Sequence, residues 1–556
     1  SLPVHPMAVT EVSTWAGELG PSSPTETITL TVPGDVITGL SSLEISLAPS
    51  MVPDLFAGLE YLVGYPYGCV EQTMSRALPN AMVARVLDEL ELHNERLEAD
   101  LPPMIGVGLQ KLYGYQHNDG GWGWWYDDDT DVNQTAYVVF GLAMTEQAGY
   151  EVDGGVLERG ADALRALLPE ADPRAHAYGV YALVMAGQPV SITTSLTDAL
   201  TLDLFSQAAM AIALNMAEDE MVLAGSRQEM VAALLDNVRE AAIQDGGTVR
   251  WEEEGEDVAY SRTVMGSSVR TTAMVVDALI RLEPESPLLP GAVRWLMAQR
   301  QGDGWGDTQK TSYSILSLTN YLLASRELAA GSAYQVYLNG ELWQDGVLGQ
   351  ADQGEILTVP ITALLPAENY VQLALGEDGE EPSGRLYHGT TLSAVRAPRE
   401  EFIPAFNSGE RSIGVRREYR LQGSEEAATR FQPGDLVEVR LILDVPEESW
   451  YVIVDDPVPA GFEALNERLG TTSHIVTAYE EPDQYWQDYG YNRKDVRDER
   501  VSFFITRLDA GEHTLTYLMR AINSGDFGVL PAQVYLMYEP EVWSRSDSTQ
   551  CQVEAR

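Results

Sequence analysis

Four similar helical segments are the feature that most constrains how this chain can fold. They are residues 135–142, 175–183, 272–279 and 311–318. Two of them follow loops rich in Gly and Trp, at 119–124 and 303–307. Ala, Leu and Met recur at three- and four-residue spacing from about residue 55 to about residue 328, which indicates helices throughout. A repeated helix–loop–helix unit of roughly 40 residues is typical of stacked helical arrays. Together with the Gly-Trp loops, the repeat predicts an α/α toroid.

Strand-like segments flank the helical region on both sides. Residues 26–32 alternate polar and apolar side chains and end in a Pro-Gly-Asp turn. After residue 330 the chain has short strands with Gly, Pro and Asn turns, and from residue 414 onward its strands are spaced as in a β-sandwich. Strands at both ends of the helical block suggest one β domain interrupted by an inserted α domain.

The charge of the chain excludes several function classes. Acidic residues outnumber basic ones by 84 to 35, which gives the 556 residues a formal net charge of −49. Phosphate backbones and anionic membrane surfaces repel such a chain, so we expect no nucleic-acid partner. No apolar stretch approaches the ~18–20 residues of a membrane span. Membrane association would therefore need segments outside this sequence.

One short motif, residues 65–72 (Tyr-Pro-Tyr-Gly-Cys-Val-Glu-Gln), carries the clearest chemistry. Cys69 and Gln72 are three residues apart, so their side chains face each other at a helix start. Helix N-termini favour the reactive thiolate. It could attack the Gln72 side-chain carbonyl and expel ammonia, which forms an internal thioester. Glu71 could assist the proton transfers or cap the helix. The alternative is a buried free Cys beside a chance Gln.

The motif and three further segments resemble a known family. The matching segments are residues 66–72, 133–142, 292–318 and 532–546. They are similar to the alpha-2-macroglobulin and complement thioester proteins, especially the bacterial alpha-2-macroglobulins. The resemblance implies a multidomain α + β fold. An α/α-toroid thioester domain is inserted in a CUB-like β-sandwich, and a macroglobulin-like (receptor-binding-type) β-sandwich follows. The implied limits are 1–45 and 332–398 for the CUB-like domain, 46–331 for the toroid and 399–556 for the last domain.

The resemblance also implies a function, that of a protease inhibitor rather than an enzyme. In the family, cleavage of a bait region exposes the thioester, and an amine of the protease is acylated and tethered. The implied partners are target proteases and the N-terminal macroglobulin domains of a longer protein, with no cofactor. The implied location is periplasmic or extracellular.

Four residues are implied to shield the bond. They are Tyr65, Tyr67, Met537 and Tyr538. Excluding water protects a hydrolysable acyl group. The alternative for Met537 and Tyr538 is that they only pack their own domain.

A second function within the family is labelling of surfaces through hydroxyls. Complement-type members carry a His in a loop between two toroid helices, and this His redirects attack toward hydroxyls. Here residues 161–175 lead almost directly from one helix to the next, so we expect that loop to be deleted. His176 is then a helix-start residue, and the sequence favours attack by amines.

Two metal-dependent alternatives and a non-reactive one remain open. Asp127–Asp131 fits D-D-x-x-D, the magnesium–diphosphate motif of terpenoid cyclases, which share the toroid. A solvated loop is the competing interpretation. Asp127, Asp129 and Asp131 also alternate as in a calcium loop, but the required Gly and Glu are both replaced by Val. The third alternative is an interaction module in which Cys69 never reacts. Cys551, near the C-terminus, is predicted to be a free thiol or a cross-linking point.

Lysine is scarce in this chain. Only Lys111, Lys310 and Lys494 are present among the 35 basic residues. The codon composition of a GC-rich genome explains this most simply. A functional hypothesis is that few internal amines remain to react with the thioester.

Overall fold

The structure is a computed structural model. It describes residues 9–554 except 22, 65–67, 91–94, 219–220, 223–225, 254–264, 326–331, 350–353, 377–383, 397–402 and 467–489. The described residues divide into two compact units, Thr10–Arg396 and the part of the chain that follows it.

The first unit contains twelve α-helices in its described part. They are α1 (Val52–Gly64), α2 (Val70–Glu89), α3 (Glu95–Tyr115), α4 (Val132–Gln147), α5 (Gly154–Leu167), α6 (Pro173–Met185), α7 (Leu196–Ala199), α8 (Leu204–Met216), α9 (Arg227–Glu240), α10 (Ser268–Leu282), α11 (Leu289–Ala298) and α12 (Thr308–Ser325). The even-numbered helices each contact the next one, and α12 contacts α2. These six inner helices therefore form a closed ring.

The outer helices pack against the ring and complete the toroid. Helix α3 packs on α2, α5 on α4, α9 on α8 and α11 on α10. The inner helices are buried nearly all round, as in α8, where residues 205–214 are all buried. Such helices are stable only inside a core. The four repeated segments lie on inner helices α4, α6, α10 and α12, so the toroid prediction is confirmed.

A buried Trp explains the sequence repeat in three of its copies. Each indole N–H donates to a carbonyl of the preceding outer helix: Trp122 to Leu112 (2.8 Å), Trp251 to Val238 (2.7 Å) and Trp305 to Leu296 (2.7 Å). Each Trp backbone N–H donates to the Oγ1 of the Thr that begins the repeated segment, at Thr135, Thr272 and Thr311. The Gly-Trp loops thus fasten an outer helix to the next inner helix.

Strands on both sides of the helices build a two-sheet domain. The strands of the first unit are β1 (Val9–Leu19), β2 (Thr25–Thr31), β3 (Ser42–Ala48), a small hairpin of β4 (Ile243–Asp245) and β5 (Thr248–Arg250), β6 (Ser332–Leu338), β7 (Glu341–Leu348), β8 (Glu355–Pro360), β9 (Glu368–Leu375) and β10 (Leu386–Arg396). The two sheets have the strand orders β1-β10-β3-β8 and β2-β9-β6-β7. Each sheet pairs strands from before and after the helices, so the helical domain is inserted in this β domain, as predicted.

The second unit is a β domain. Its described strands are β11 (Phe406–Asn407), β12 (Gly414–Leu421), β13 (Arg430–Phe431), β14 (Leu436–Val445), β15 (Ser449–Pro457), β16 (Phe462–Ala464), β17 (Arg493–Val496), β18 (Arg500–Leu508), β19 (Gly511–Ala521), β20 (Gly525–Val529), β21 (Gln533–Leu536), β22 (Glu539–Arg545) and β23 (Thr549–Val553). The two larger sheets are β11-β22-β21-β15-β18-β17 and β12-β14-β19-β16. Alternate residues of β14 are buried, as in a half-buried sandwich strand.

The fold class predicted from the sequence is confirmed, whereas the predicted domain limits stay predictions. The limits at 331/332 and 398/399 fall on or beside residues outside the described ranges. Cys551 lies in β23, is buried and forms no disulfide. Burial raises the pKa of its thiol to about 12, which favours the free-thiol interpretation. In the described ranges, no helix is both long and apolar enough to cross a membrane.

Candidate functional site

Cys69 and Gln72 lie together at the start of α2. The Cys69 backbone N–H donates to Gln72 Oε1 (3.2 Å), and the Gln72 backbone N–H donates to Cys69 Sγ (3.5 Å). This reciprocal pair is a capping box in which Cys69 takes the place usually held by Ser or Thr. The spacing of three residues therefore brings the sulfur and the amide side chain to the same side of the first turn.

The pair is sealed from solvent. Cys69 and Gln72 are both 0% exposed. Burial raises the pKa of the Cys69 thiol well above its usual range, and the Glu71 carboxylate raises it further. Hydrogen bonds from the backbone of Gln72 and Glu71 lower it only in part. The helix N-terminus thus favours the thiolate less than burial disfavours it, and the closed site holds a neutral thiol.

Glu71 connects the first and last inner helices of the ring. Thr308 Oγ1, at the start of α12, donates to both carboxylate oxygens (3.0 and 2.9 Å), and Ser75 Oγ donates to one of them (2.5 Å). Tyr137 OH, on α4, hydrogen bonds with Ser75 (2.9 Å) and Ser312 (2.8 Å). The side-chain atom that caps the start of α2 is Cys69 Sγ, rather than an atom of Glu71. The Glu71 carboxylate holds neighbouring helices together beside the pair.

The first Gly-Trp loop docks directly beside Cys69. The Val70 backbone N–H donates to the Trp124 carbonyl (3.0 Å). Asp128 Oδ2 in turn accepts from the backbone N–H groups of Trp124 (2.8 Å) and Trp125 (3.0 Å). The acidic loop is therefore part of the scaffold of the site, a role that the sequence did not suggest.

The other acidic residues of this loop do not come together as a metal site. Asp131 caps α4 by accepting from the Gln134 backbone N–H (2.8 Å). Asp127 and Asp129 are exposed. Across the described ranges, no group of three or more His, Cys, Asp or Glu side chains could hold a metal ion. The calcium and magnesium hypotheses gain no support from this arrangement.

Two of the three lysines lie on helices that pack against α2. Lys111 Nζ, on α3, is 3.4 Å from where a Cβ on Gly68 would lie. Tyr115, one turn further along α3, donates its hydroxyl to the Gly68 carbonyl (2.8 Å). Lys310 Nζ bonds Asp307 Oδ2 (2.9 Å) at the start of α12. This placement counts against the hypothesis that lysine is avoided near the reactive motif.

The predicted shielding residues fall into two groups. Tyr65 and Tyr67 lie outside the described residues. Met537 and Tyr538 belong to the second unit, where they form the turn between β21 and β22 and are buried. There the Met537 N–H donates to the Tyr451 carbonyl (2.9 Å), and the Tyr538 ring meets the Tyr451 ring edge to face at 5.2 Å.

His176 lies in the first turn of α6, as the sequence predicted. Helix α5 leads into α6 through a short 3₁₀ turn at Leu168–Glu170, with no longer loop between them. Burial lowers the pKa of His176. The neutral imidazole lines a separate cavity with Arg165 and Glu218.

Comparisons with known proteins find similarity to alpha-2-macroglobulins. Residues 41–164 match the family described as "A-macroglobulin TED domain", and residues 413–541 match "Bacterial Alpha-2-macroglobulin MG10 domain". Alpha-2-macroglobulin of Escherichia coli (strain K12) is 25% identical over 572 aligned positions, which cover 95% of this chain and 32% of the relative. The chain is thus similar to bacterial alpha-2-macroglobulins in two matched domains and along most of its own length. It spans about a third of the length of that relative.

Other alpha-2-macroglobulins extend the comparison. The protein of Thermotoga maritima is 31% identical over 290 residues, which cover 52% of this chain and 16% of the relative. The native E. coli alpha-2-macroglobulin structure from domain MG7 to the C-terminus has a TM-score of 0.69 at 18% identity, covering 98% of this chain and 82% of that one. Salmonella alpha-2-macroglobulin reacted with methylamine has the same TM-score at 20% identity, covering 99% and 34%. These structures share the fold.

Sequence reasoning found the Cys69–Gln72 pair but not its surroundings. The TED match includes Cys69 and Gln72. The residues it missed are Ser75, Tyr137, Thr308 and Ser312 around Glu71, Lys111 and Tyr115 beside Gly68, and Asp128 under the Trp124 loop. A small signal existed for some of them, because Ser312 and Thr308 lie within or next to a repeated segment.

Proposed function

We propose that this chain carries the reactive part of a covalent protease trap. The observation that supports it most is the capping box of Cys69 and Gln72 in a site closed to solvent. In the proposed reaction, the Cys69 sulfur bonds to the Gln72 side-chain carbon and ammonia leaves. An amine of the target then attacks that carbon, the carbon–sulfur bond breaks, and the thiol is restored.

Burial serves both steps of this chemistry. Before activation it keeps water from the acyl group. Once the site opens, the desolvation that holds the Cys69 thiol neutral is relieved, and the sulfur leaves more readily as a thiolate. Glu71 is a proposed proton carrier because its carboxylate lies next to the pair in sequence and influences the thiol electrostatically.

Amines are the proposed attackers, and proteases the proposed partners. The short α5–α6 connection provides no His-bearing loop of the complement type. A solved Salmonella relative was reacted with methylamine, a small amine. The N-terminal macroglobulin domains of a longer protein are further proposed partners of this chain. Its proposed location is the cell envelope, in the periplasm or outside the cell. No cofactor is required by this chemistry.

Intact mass before and after methylamine treatment tests the proposal. We expect the native protein to weigh one ammonia less than its sequence and to take up one methylamine at Gln72. Cys69→Ser should abolish both changes, while its hydroxyl still caps α2. Cys551→Ser is the matched control and should behave like the native protein. The sequence mass with an unmodified Gln72 and no uptake would refute the thioester.

Shielding by Tyr65, Tyr67, Met537 and Tyr538 remains a part of the proposal with its own test. Replacing each with Ala should speed methylamine uptake and hydrolysis of the native protein if the side chain excludes solvent. Unchanged rates in all four variants would leave Met537 and Tyr538 as packing residues of the second unit.

A further inference from the structure

Lys111 is the amine that the fold places against the reactive motif. Helices α2 and α3 approach closely because Gly108 has no side chain, and a Cβ there would lie 2.9 Å from Ala77 Cβ. This close packing brings Lys111 Nζ to Gly68, the residue that precedes Cys69. Lys111 is exposed, and among the described residues no ion pair or hydrogen bond holds its amino group.

A cavity gives the Lys111 side chain room to move along the Cys69 face of α2. Its volume is about 280 Å³, and Lys111 lines it together with Thr73, Arg76 and Asn80. Thr73 and Arg76 follow Cys69 at four and seven residues, which places them on the same helix face. Thr73 Oγ1 and Asn80 Oδ1 are buried there without a hydrogen-bond partner. The cavity is therefore lined by residues of the same face of α2 as Cys69, while Cys69 and Gln72 themselves do not line it.

The other two lysines are placed differently. Lys310 is only half-buried, but its amino group is held by Asp307, which is itself buried. Lys494 belongs to the second unit, where its amino group lies over the Tyr491 ring at 5.8 Å. Within the described part of the chain, Lys111 is therefore the lysine that lies beside the motif and forms no ion pair.

We propose that Lys111 is an internal acceptor for the Gln72 acyl group, and this rests on the thioester proposed above. The neutral Lys111 amine attacks the Gln72 side-chain carbon of the opened thioester. A carbon–nitrogen bond forms, the carbon–sulfur bond breaks, the nitrogen loses one proton, and the Cys69 sulfur takes one up. The product is a Lys111–Gln72 amide with a free Cys69 thiol. An activated molecule that captures no target would thereby switch itself off.

The tether makes this internal reaction competitive with capture. An amine on a short flexible tether acts as if present at roughly millimolar concentration, and a well-oriented one acts as if far more concentrated. In the closed site the amine lies beside Gly68, which precedes Cys69 by one residue and Gln72 by four, and both side chains of the pair are fully buried, so the reaction waits for opening. The external amine then competes with Lys111 for one acyl group.

Mass alone does not separate the two products, because thioester and amide each lack one ammonia. The experiment therefore follows mass and free thiol together, on the full chain warmed gently in amine-free buffer. For the native chain we expect thiol to appear with no change in mass and a digest to contain linked peptides bearing Lys111 and Gln72. Lys111→Arg keeps the positive charge and should release thiol only with the gain of one water. Lys494→Arg is the matched control and should behave as the native chain does.

The outcomes distinguish this inference from the function on which it rests. Three results for the native chain would overturn the role of Lys111 while leaving the thioester in place. The thioester could persist on warming, the thiol could appear only together with the gain of one water, or the linked peptides could contain Lys310 in place of Lys111. A protein with no ammonia deficit and no methylamine uptake in any variant would overturn the thioester itself. Loss of the linked peptides in Lys111→Arg, with methylamine uptake retained, would support the proposal.

Discussion

The thiol of Cys69 lies between two opposing influences at the level of single residues. Burial and the negative charge of Glu71 raise its pKa, while backbone N–H groups at the helix start lower it. Because an adjacent carboxylate disfavours the thiolate, the charge of Glu71 lowers the reactivity of the Cys69 sulfur. The Glu71 carboxylate oxygens accept hydrogen bonds from Ser75 and Thr308.

Removing the charge of Glu71 should make the Cys69 thiol more acidic. We compare Glu71→Gln with its parent in a Gln72→Ala background, where no thioester can form and the thiol is free. The ultraviolet absorbance of the thiolate, corrected with Cys69→Ser in the same background, should titrate at lower pH in Glu71→Gln. Glu89→Gln, at the far end of α2, is the control and should leave the titration in place. A titration that moves to higher pH would contradict the electrostatic role of Glu71.

Asp128 makes the stability of the toroid dependent on pH. Its Oδ2 accepts two backbone N–H groups, but its Oδ1 is buried without a hydrogen-bond partner. Burial raises the pKa of Asp128 from 3.8 to about 6. The folded state thus keeps a proton that the unfolded state loses between these values, so stability falls as pH rises from about 4 to about 6.

Asp128→Asn should remove this dependence. The amide keeps an accepting oxygen for the Trp124 and Trp125 N–H groups and no longer buries a charge. At ~1.4 kcal/mol per pKa unit, we expect the variant to be more stable at pH 7 by on the order of 1–3 kcal/mol. The gain should vanish below about pH 4. Urea unfolding, followed by helical circular dichroism between pH 4 and 8, measures it. The exposed neighbour supplies the control Asp127→Asn, and a less stable Asp128→Asn at pH 7 would contradict us.

At the scale of elements, the toroid depends on close contacts between the Gly-Trp loops and the helices. A Cβ on Gly160, in α5, would lie 2.5 Å from the Trp122 ring and 3.2 Å from a Val139 methyl. The ring has little room to yield, because it is fully buried and its indole N–H is bonded to Leu112. Gly160 thus allows α5 to lie flat on the loop that holds α4.

Two Gly→Ala changes in the same helix should therefore have different effects on stability. We expect Gly160→Ala to destabilise the toroid by about 1–3 kcal/mol through overpacking. Gly154→Ala, at the start of α5, meets nothing within 4 Å and should be neutral or stabilising by up to ~1 kcal/mol. Thermal unfolding followed by helical circular dichroism compares them. Equal effects at the two positions would show that the Trp122 contact does not limit the packing.

The sequence predicted those parts of the structure that follow from residues close together in the chain. The Cys69–Gln72 geometry follows from a spacing of three residues at a helix start, and the inner helices follow from a repeated segment. The third Trp of the repeat, Trp251, escaped prediction because its loop lacks the Gly-Trp pattern, although it makes the same two hydrogen bonds. Thr308 and Glu71 are 237 residues apart, and no local pattern reports that the ring closes between them.

At the scale of the whole molecule, the chain combines one closed helical ring and two β domains with a formal net charge of −49. The closed ring joins α12 to α2, so the Cys69–Gln72 pair sits where the first and last inner helices meet. Insertion of the ring between β3 and β6 brings strands from both ends of the first unit into common sheets. The position of the site is thus set by ring closure, whereas the net charge is a property of the whole chain.

A formal net charge of −49 should make the stability of the chain depend on salt. Like charges repel one another more in a compact state than in an expanded one, so low ionic strength destabilises the fold. The screening length falls from ~30 Å at about 0.01 M salt to ~8 Å at about 0.15 M, which is shorter than the distance across a domain. We therefore expect the midpoint of thermal unfolding to rise over this range of sodium chloride.

The control separates screening from general solute effects. Sucrose is excluded from protein surfaces and stabilises compact states without screening charge, so it should raise the unfolding temperature without reducing its salt dependence. Lowering the pH toward the isoelectric range should flatten the salt dependence, because protonated carboxylates no longer repel one another. Since lysines are few, this repulsion is offset mainly by Arg–carboxylate pairs such as Arg411–Glu539, which salt weakens. An unfolding temperature that falls with added salt would mean that these attractive pairs, rather than the net charge, dominate the electrostatic free energy of the fold.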